Sequence, residues 1–494
     1  MSDSKAVSEF RRAHGRAPSL LITGNVANNA YLIAYHLRSV GWDADVLCAD
    51  YYHSMGCPEW EHAVFDASAI DEFAPDWSQV HADGYVRPRW FAQGPRDQAV
   101  EYLQARRAGK GSEAKWDRLR NPAPSAAADA RAAGPRSRVD RAWHFVRTYK
   151  QTPQRVALVG QIALQRVQHA LPGLAARPWI FHRRAARLRA LMSRYDAVEA
   201  CGSEVAWAGM TGRPFVAFEH GTIRWAAQRG DVMQSLTMDG FARCAAVMVT
   251  NGDSIPLAER HHFPAVTATV HPLVEVDPAL AGPAEAEAEN VLAAARINAG
   301  PLLLCPLRHD WDVKGTDLYL RALPGLRERV GDDVTLLLTA WGNDIQRSKD
   351  LVADLGAEDL VRWIPPQGRQ VLLCLMTSSL VVLDQTALPH FGSTAPQALS
   401  LGVPVMSSYD PASTARICAE PAPILPVFTP GDVVEGVVRL LDDGFRQALS
   451  MSAVTWCRRF HSTERVVADH EGVMSALIDP PAAQGPRTRT AEAS

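Results

Sequence analysis

The sequence predicts an α/β protein with parallel sheets, and three observations carry this prediction. Short apolar runs that end in polar or glycine residues alternate with segments of helix length, which is the pattern of repeated βαβ units. At 494 residues the chain is too long for one core of ordinary size, so two domains are expected. Its 47% apolar and 21% charged residues are ordinary for a globular enzyme.

Charge and composition exclude several classes of protein. The formal net charge of -3 gives no global reason to expect a nucleic-acid partner. No run approaches the roughly 18 uninterrupted apolar residues of a membrane span. Residues 1–19 carry scattered charges without the apolar core of a secretory signal, so we expect a cytoplasmic protein. The eight cysteines are widely spread and form no CxxC pair, so no disulfide or metal framework is expected.

Residues 1–277 are predicted to form the first domain. The strand SLLITG is followed by a helix that Asn28 or Asn29 could cap and Gly41 could end, and then by the strand DADVLCA. From about residue 84 to 178 the alternation of strand-like and helix-like segments weakens. Tracts rich in Arg, Trp, Ala, Pro and Gly replace it, which predicts an insertion. The alternation resumes after residue 178, with the predicted strands YDAVEACG, RPFVAFEHG, CAAVMVTNG and TATVHPLVEVD.

Residues 278–461 are predicted to form the second domain, because prolines and a glycine precede an Ala/Glu-rich stretch at the junction. Its strands are PLLLCPLR, VTLLLTAWG, LVRWIPP, SLVVLDQ and PVMSS, with helices between them. A last helix over residues 462–479 could cross back to the first domain, and residues 480–494 are polar enough for a disordered tail. Ligand sites in such sheets lie at the carboxyl ends of the strands.

A cationic loop follows the strand PLLLCPLR. Arg308 ends this strand, and Lys314 with Gly315 and Thr316 is predicted to open the next helix. Arg supplies forked donors, Lys supplies a mobile charge, and the free N–H groups of a helix start add positive potential. Together these groups suit a diphosphate. A surface loop with two ordinary cations is the alternative.

A second loop and helix, FGSTAPQALSLGVPVMSS, follows the strand SLVVLDQ. Ser393 or Thr394 could cap the helix, and Gly402 before Pro404 would end it. The start of such a helix could meet the sugar and ribose of a nucleotide donor. An ordinary turn is the alternative, but the position of this loop after the cationic loop favours a donor site.

These two loops resemble those of family 4 retaining glycosyltransferases, which have the GT-B fold. The resemblance covers about residues 300–410. It implies two Rossmann-like domains that face each other across a cleft, the first for the acceptor and the second for the donor. It further implies that Arg308 and Lys314 bind the diphosphate of a nucleotide sugar, and that transfer retains the anomeric configuration without a metal or cofactor. UDP is the more frequent nucleotide in such donors, and GDP is the alternative.

The sequence departs from this family at two glutamates of the donor loop, whose positions hold Pro389 and Gln397. Gln397 could still bond ribose hydroxyls but brings no charge, and Pro389 has no polar side chain. Either other groups hold the donor sugar or activity is lost. The candidate groups are the side chains of Asp384 and His390 and the loop at Phe391, Gly392, Ser393 and Thr394. Asp384 could equally cap the next turn.

Two residues of the first domain are expected at the cleft. His220 ends the strand RPFVAFEHG, where the family commonly places a histidine close to the donor sugar. It could donate a hydrogen bond to a sugar hydroxyl or, if protonated, offset diphosphate charge. Gly24 ends the first strand, where it permits either a close backbone approach to the ligand or an ordinary turn. His220, Arg308 and Lys314 form the predicted catalytic set.

The acceptor side is predicted from mixed aromatic and polar residues. The run CADYYHSMGCPEWE contains Trp60 and Glu61, which suit a sugar-like acceptor, and a packed surface loop is the alternative. Glu219 and Arg224 flank His220 as further candidates. The acceptor could be a glycan, a lipid-linked molecule or a small molecule.

The remaining features of the sequence bear on membranes, metals and rival functions. The basic helix FHRRAARLRALMSRY could make peripheral contact with the inner face of the membrane, or it could be a core helix with a solvated face. His261, His262 and His271 lack further ligands at a recognised spacing, so no metal is expected. The rival functions are a sugar-nucleotide epimerase or hydrolase on the same fold, and a non-catalytic sugar-nucleotide-binding protein.

Overall fold

The computed structural model describes residues 3–110, 115, 116, 119, 179–228, 232–297 and 300–478. These residues form two sheets of parallel strands with helices packed on them, so the predicted α/β class is confirmed. The segment APSAAADARAAGPRSR and the predicted tail at 480–494 lie outside the described residues.

The first sheet has seven strands in the order β3-β2-β1-β4-β5-β6-β7. Alternate residues of β1 face opposite layers of helices, because Leu21 belongs to one apolar cluster and Leu20 and Ile22 belong to another. Burial on both faces explains why the strand is apolar throughout. The strands are β1 Ser19–Thr23, β2 Asp43–Ala49, β3 Phe91–Gly94, β4 Ala197–Cys201, β5 Val216–Glu219, β6 Ala246–Val249 and β7 Val266–Ala268.

The second sheet has six strands in the order β10-β9-β8-β11-β12-β13. In both sheets the order reverses beside the central strand, between β1 and β4 and between β8 and β11. Ligands of open α/β sheets bind at the carboxyl ends of the strands beside such a reversal. The strands are β8 Leu302–Cys305, β9 Thr335–Thr339, β10 Val361–Ile364, β11 Val381–Leu383, β12 Val405–Ser407 and β13 Leu425–Pro426.

The helices of the described residues are numbered in chain order. Those of the first domain are α1 Lys5–His14, α2 Asn29–Ser39, α3 Pro58–His62, α4 Ser78–Ala82, α5 Arg96–Arg107, α6 Trp179–Met192, α7 Glu204–Thr211, α8 Thr222–Ala226, α9 Val232–Arg243 and α10 Ser254–Arg260. Those that follow are α11 Ala281–Ala294, α12 Trp311–Lys314, α13 Asp317–Arg321, α14 Leu323–Val330, α15 Ile345–Asp354, α16 Arg369–Thr377, α17 Thr394–Ser400, α18 Pro411–Ala415, α19 Pro430–Leu440, α20 Asp443–Phe460 and α21 Thr463–Ile478.

The start of the predicted insertion at residue 84 is wrong. Strand β3 lies within that segment and pairs with β2, with Ala92 opposite Leu47, and helix α5 buries Leu103 in the first-domain core. Both elements therefore belong to the first sheet and its covering layer. The sequence FAQG of β3 is too short and too polar to stand out as an apolar run.

Helix α21 packs against the first domain although it follows the second domain in the chain. Val467 and Met474 are buried in the same apolar cluster as Leu20. On the same helix, Nε2 of His470 lies 3.5 Å from the Glu199 carboxylate of β4. The end of the described chain is thus held by the first sheet.

The basic helix predicted around residues 181–195 corresponds to α6. Its apolar side chains Leu188, Leu191 and Met192 are buried in the first-domain core, and Arg187 lies 3.1 Å from Asp97 of α5. Because the protein itself covers the apolar face, this geometry favours the core-helix alternative. In the described part of the chain, every helix is too short or too polar to cross a membrane.

Candidate active site

Polar side chains of the two domains meet in a cleft at the carboxyl ends of the two sheets. Arg224, which follows β5, donates through Nη2 to Nε2 of His390 at 3.1 Å, and His390 belongs to the loop after β11. Nδ1 of His390 lies 3.2 Å from Asp253, which follows β6. Burial lowers the pKa of His390 to about 4, although Asp253 opposes this shift. A neutral imidazole therefore joins the two walls.

The two cations predicted to bind a diphosphate lie on the second-domain wall. Arg308 follows β8, is 46% exposed and has its Nη2 3.3 Å from Asp310. Lys314 donates through Nζ to Oε1 of Gln385 at 2.7 Å. Burial lowers the pKa of Lys314, and the charge of Asp384 counters the shift. Since the direct partner of Lys314 is a neutral amide, its charge remains available to an anion.

The local structure around Lys314 differs from the predicted helix start. Lys314 is the last residue of the short helix α12, and Gly315, with φ of 65°, separates it from α13. A Cβ at Gly315 would lie 2.2 Å from Oγ1 of Thr386, so glycine allows the loop after β11 to approach the lysine. The expectation that Lys314 opens the following helix is therefore wrong.

Asp384 lies behind the donor loop and binds its backbone. The carboxylate is fully buried, burial raises its pKa, and Oδ2 accepts a 2.5 Å hydrogen bond from the N–H of Gly392. A Cβ at Gly392 would lie 3.1 Å from Oδ1 of the same carboxylate. These contacts fit the alternative stated for Asp384, in which it caps the turn after its strand.

The other loop residues divide between the cleft and the core. The backbone C=O of His390 accepts a 2.7 Å hydrogen bond from Nε2 of Gln385, which fixes the loop beside Lys314. The ring of Phe391 packs against the second-domain core, with its centroid 6.0 Å from that of Tyr409, and also lines the pocket between the domains. Ser393 is the exposed N-cap position of α17, whose first residue is Thr394, but its side chain makes no capping hydrogen bond.

Gln397 is placed away from its predicted ribose role. Its Oε1 accepts from the N–H of Val274 at 3.0 Å, and its Nε2 donates to the C=O of the same residue at 2.8 Å. The amide is thereby bound to the segment between the domains and has no polar atom directed at the cleft.

His220 directly follows β5, at the strand end where the sequence predicted it. Burial lowers its pKa to about 4, with Arg224 as the second cause, so the ring is neutral near pH 7. Its Nδ1 is buried and, among the described residues, has no hydrogen-bond partner. Of the two roles predicted for His220, the neutral ring without a ligand favours hydrogen bonding to a sugar over compensation of diphosphate charge. A neutral imidazole can still exchange hydrogen bonds with a sugar hydroxyl.

Glu219 binds the backbone of the loop that carries His220. Its Oε1 accepts from the N–H of Gly221 at 2.6 Å, and its Oε2 accepts from that of Ile223 at 3.1 Å. Burial raises its pKa to about 7. Both oxygens serve this loop, so the predicted acceptor contact of Glu219 is replaced by a supporting role.

Arg224 lies at the cleft but is already paired. Its Nε and Nη2 donate to the two oxygens of Asp253 at 2.8 and 2.7 Å, and this fork positions the guanidinium against His390. Arg224 therefore connects the two walls at the side predicted for the acceptor.

The other candidates of the first domain have structural partners. Trp60 is 5% exposed and packs with Cys57 and Trp77, so it belongs to a core and cannot stack on an acceptor. Glu61 is buried, and its Oε2 accepts from Nε of Arg369 at 3.0 Å across the domain boundary. The predicted acceptor contacts of both residues are wrong.

Gly24 is required by packing at the end of β1. Its φ is 86°, and a Cβ there would lie 2.5 Å from the C=O of Cys201 and 2.8 Å from Cγ of Glu204. Such a close approach to the neighbouring strand end needs glycine.

Asp253 and Gln385 are among the residues of the cleft that were not predicted from the sequence. Asp253 orients Arg224, and Gln385 is the partner of Lys314. Both follow apolar strands, so the strand-end rule that selected His220 could have included them. Among the described residues, no group of three His, Cys, Asp or Glu side chains is arranged to hold a metal ion.

Comparison with known proteins finds a family model that matches most of the second domain. Residues 292–451 match the family model described as "Glycosyl transferases group 1". The D-inositol 3-phosphate glycosyltransferase of Saccharomonospora viridis is 32% identical over 124 residues, which are 24% of this chain and 29% of the relative. That of Acidothermus cellulolyticus is 27% identical over 182 residues, or 34% and 38% of the two chains. The chain thus spans about a third of the length of the curated relatives it matches.

Two solved structures resemble both domains together. A glycosyltransferase from Rickettsia africae has a TM-score of 0.53 at 10% identity and covers 94% of this chain and 99% of its own. The sucrose-phosphate synthase of Thermosynechococcus elongatus has a TM-score of 0.50 at 13% identity, with coverages of 93% and 99%. At this identity the likeness concerns the fold, and the predicted GT-B arrangement is confirmed. The chain therefore has the GT-B fold, and its residues 292–451 match the group 1 glycosyltransferase model.

Proposed function

We propose that the protein is a glycosyltransferase that moves a sugar from a nucleoside-diphosphate sugar to an acceptor in the cleft between its domains. The observation that carries this proposal is the pair of cations Arg308 and Lys314 on one wall of the cleft, within a group 1 domain. A forked guanidinium and a lysine without a carboxylate partner suit the two phosphates of such a donor.

The proposed reaction retains the anomeric configuration and uses no metal. Its transition state has oxocarbenium character, and negative charge builds up on the departing diphosphate. Arg308 and Lys314 stabilise that charge as it develops, so they accelerate the reaction beyond binding the donor. His220, half-buried and neutral, exchanges a hydrogen bond with a hydroxyl of the sugar.

The proposed donor is a UDP-sugar, with a GDP-sugar as the alternative. The acceptor is a glycan, a lipid-linked molecule or a small molecule. D-inositol 3-phosphate is the first acceptor to test, because the curated relatives of the chain are named for it.

The test is the affinity of Arg308→Ala for UDP and GDP, measured by isothermal titration calorimetry. The variant should bind the nucleotide that the wild type prefers more weakly by about 1.5–3 kcal/mol, because charge-assisted hydrogen bonds to the diphosphate are removed. It should also lose transfer. Arg458→Ala is the matched control, since Arg458 is exposed on α20 and its loss changes the net charge equally. An unchanged nucleotide affinity of Arg308→Ala would contradict the proposal that Arg308 binds the diphosphate.

A non-catalytic sugar-nucleotide-binding protein is the second candidate. It is favoured by Pro389, which offers no polar side chain, and by Gln397, whose amide is bound to Val274. Binding of a nucleotide sugar without transfer to any member of a broad acceptor panel would support this candidate. Turnover of the nucleotide sugar with no acceptor present would instead support the epimerase or hydrolase.

A further inference from the structure

The amide of Gln397 binds both main-chain polar groups of one residue in the interdomain linker, defined here as residues 270–280. The amide oxygen accepts from the N–H of Val274, and the amide nitrogen donates to its C=O, at 3.0 and 2.8 Å. The Gln397 side chain is 3% exposed, so water cannot readily replace these bonds. The contact is a two-point attachment of the linker to helix α17.

Each end of this attachment is anchored in a different domain. The side chain of Val274 is 4% exposed and lies in the apolar cluster of the first domain that includes Leu20. The preceding residue, Leu273, contacts Nε2 of His36 on α2 through its C=O at 2.9 Å. Helix α17, which carries Gln397, buries Ala398 in the second-domain core. The two hydrogen bonds therefore join the two cores through one residue on each side.

An amide matches this pair of partners in its ordinary neutral state, whereas a carboxyl group matches it only when protonated. Glutamine presents one acceptor and one donor group, as the N–H and C=O of Val274 require, whereas a carboxylate can only accept. A glutamate at position 397 would leave the C=O of Val274 facing a negative oxygen. Conversely, a side chain that binds a ribose needs polar atoms free for the hydroxyls, and both amide groups of Gln397 are already used.

A second glutamine binds the same linker from the neighbouring helix. Gln370 of α16 accepts through Oε1 from the N–H of Asp277 at 3.0 Å. Its Nε2 lies 3.3 Å from the C=O of Glu275 and also donates to the C=O of Glu61 at 3.0 Å. Two glutamines of the second domain thus bind the backbone of the linker, and the linker groups that they bind all lie within residues 274–277.

We propose that Gln397 is a positioning residue that fixes the angle between the domains through Val274, and that it does not contact the ribose of the donor. This inference rests on the proposed function wherever a donor is named. The attachment of Gln397 to the linker is independent of the proposed function. Since the angle between the domains sets the distance from Arg308 and Lys314 to the acceptor wall, loss of the attachment should disturb transfer more than donor binding.

The first experiment measures amide hydrogen exchange in the full chain, without ligand, for wild type, Gln397→Glu and Gln397→Ala. Exchange of the segment that contains Val274 should become faster, on the order of tenfold, in both variants. Gln98→Glu, an exposed substitution on α5 with the same charge change, should leave it unchanged. If Gln397→Glu does not fold, Gln397→Ala, which removes both hydrogen bonds and adds no charge, tests the attachment by itself. Unaltered exchange of the linker in the folded variants would overturn the proposal.

The second experiment separates a linker role from a ribose role. UDP and 2′-deoxy-UDP are titrated into wild type and Gln397→Ala, and so are GDP and 2′-deoxy-GDP. The affinity of each protein for each nucleotide is measured. We expect the ratio of ribose to deoxyribose affinity to be the same in both proteins, with kcat reduced severalfold and the KM for donor nearly unchanged. A ratio that falls to one in the variant would identify Gln397 as a ribose ligand and refute the proposal. Failure of the wild type to bind any nucleotide would refute the proposed function, and exchange at Val274 would still decide the linker role.

Discussion

Lys314 donates a 2.7 Å hydrogen bond to the amide oxygen of Gln385, while the neighbouring Asp384 carboxylate is directed at the backbone N–H of Gly392. The lysine is thus oriented by a neutral group. The same Gln385 side chain donates to the C=O of His390, whose ring contacts Arg224 of the first domain. A chain of hydrogen bonds therefore connects the proposed phosphate-binding lysine to the opposite wall of the cleft.

Gln385→Glu should weaken the binding of nucleoside diphosphates on the order of tenfold, because a carboxylate beside Nζ of Lys314 would compete with the phosphates for its charge. Titration calorimetry with UDP and GDP measures this effect. The control is Gln98→Glu, which adds the same charge on the exposed side of α5. An equal loss in the control would attribute the effect to net charge, and undiminished affinity in Gln385→Glu would contradict the role of Lys314.

Glu219 should make the stability of the protein depend on pH between about 4.5 and 7. Burial raises its pKa to about 7 from the ordinary 4.5, so the folded state holds the proton more tightly than the unfolded state. Its contribution to stability is complete below pH 4.5 and is lost as the pH rises through 7, a change of about 3 kcal/mol. Glu219→Gln has no titrating group and should lack this dependence.

Denaturant unfolding of wild type and Glu219→Gln at pH 4.5, 6, 7 and 8 measures the effect. The free energy of unfolding of the wild type, relative to that of the variant, should decrease as the pH rises. Glu289→Gln, at an exposed position of α11, should show a constant difference from wild type. A constant difference for Glu219→Gln as well would mean that Glu219 is ionised throughout.

The fold was predictable where burial on both faces makes a strand apolar along its whole length. Strands such as β1 and β8 stand out for this reason. Strand β3 does not, because it contains Gln93, a buried polar residue whose Nε2 donates to the C=O of Tyr51 at 2.9 Å. Such a residue resembles a loop residue in the sequence, since its hydrogen-bond partner is invisible there.

The candidate site was predictable to the extent that it follows strand ends. Arg308 and His220 were selected in this way, and in the structure both follow a strand, β8 and β5. Glu61 was misassigned because its partner Arg369 is 308 positions away in the chain. Contacts between the domains depend on how the linker orients them, and local patterns of residue type carry no information on that angle.

His470 should stabilise the docking of α21 in a pH-dependent way. Burial lowers the pKa of His470, but the charge of Glu199 and their contact outweigh it, so the pKa is raised above 6.5. The stabilisation is therefore complete below pH 6.5 and is lost as the pH rises through the folded-state value. His470→Gln, which leaves Glu199 buried without a charged partner, should cost about 3–5 kcal/mol at pH 6 and less at pH 9. Urea unfolding of this variant and of the exposed control His14→Gln tests the prediction, which equal losses at both pH values would contradict.

Gly24→Ala should destabilise the protein more than Gly15→Ala, although both glycines have positive φ, 86° and 69°. A Cβ at Gly15 meets nothing within 4 Å, so the cost there is that of the backbone conformation, about 1 kcal/mol. At Gly24 the new Cβ would lie 2.5 Å from the C=O of Cys201 and 2.8 Å from Glu204, which adds about 1–3 kcal/mol of overpacking. It would also displace the Glu204 carboxylate from its buried ion pair with Arg96.

Denaturant unfolding of both variants at one pH compares the two costs. Equal losses would contradict the close packing, and a loss of donor affinity without a loss of stability would mean that Gly24 serves the ligand rather than the strand.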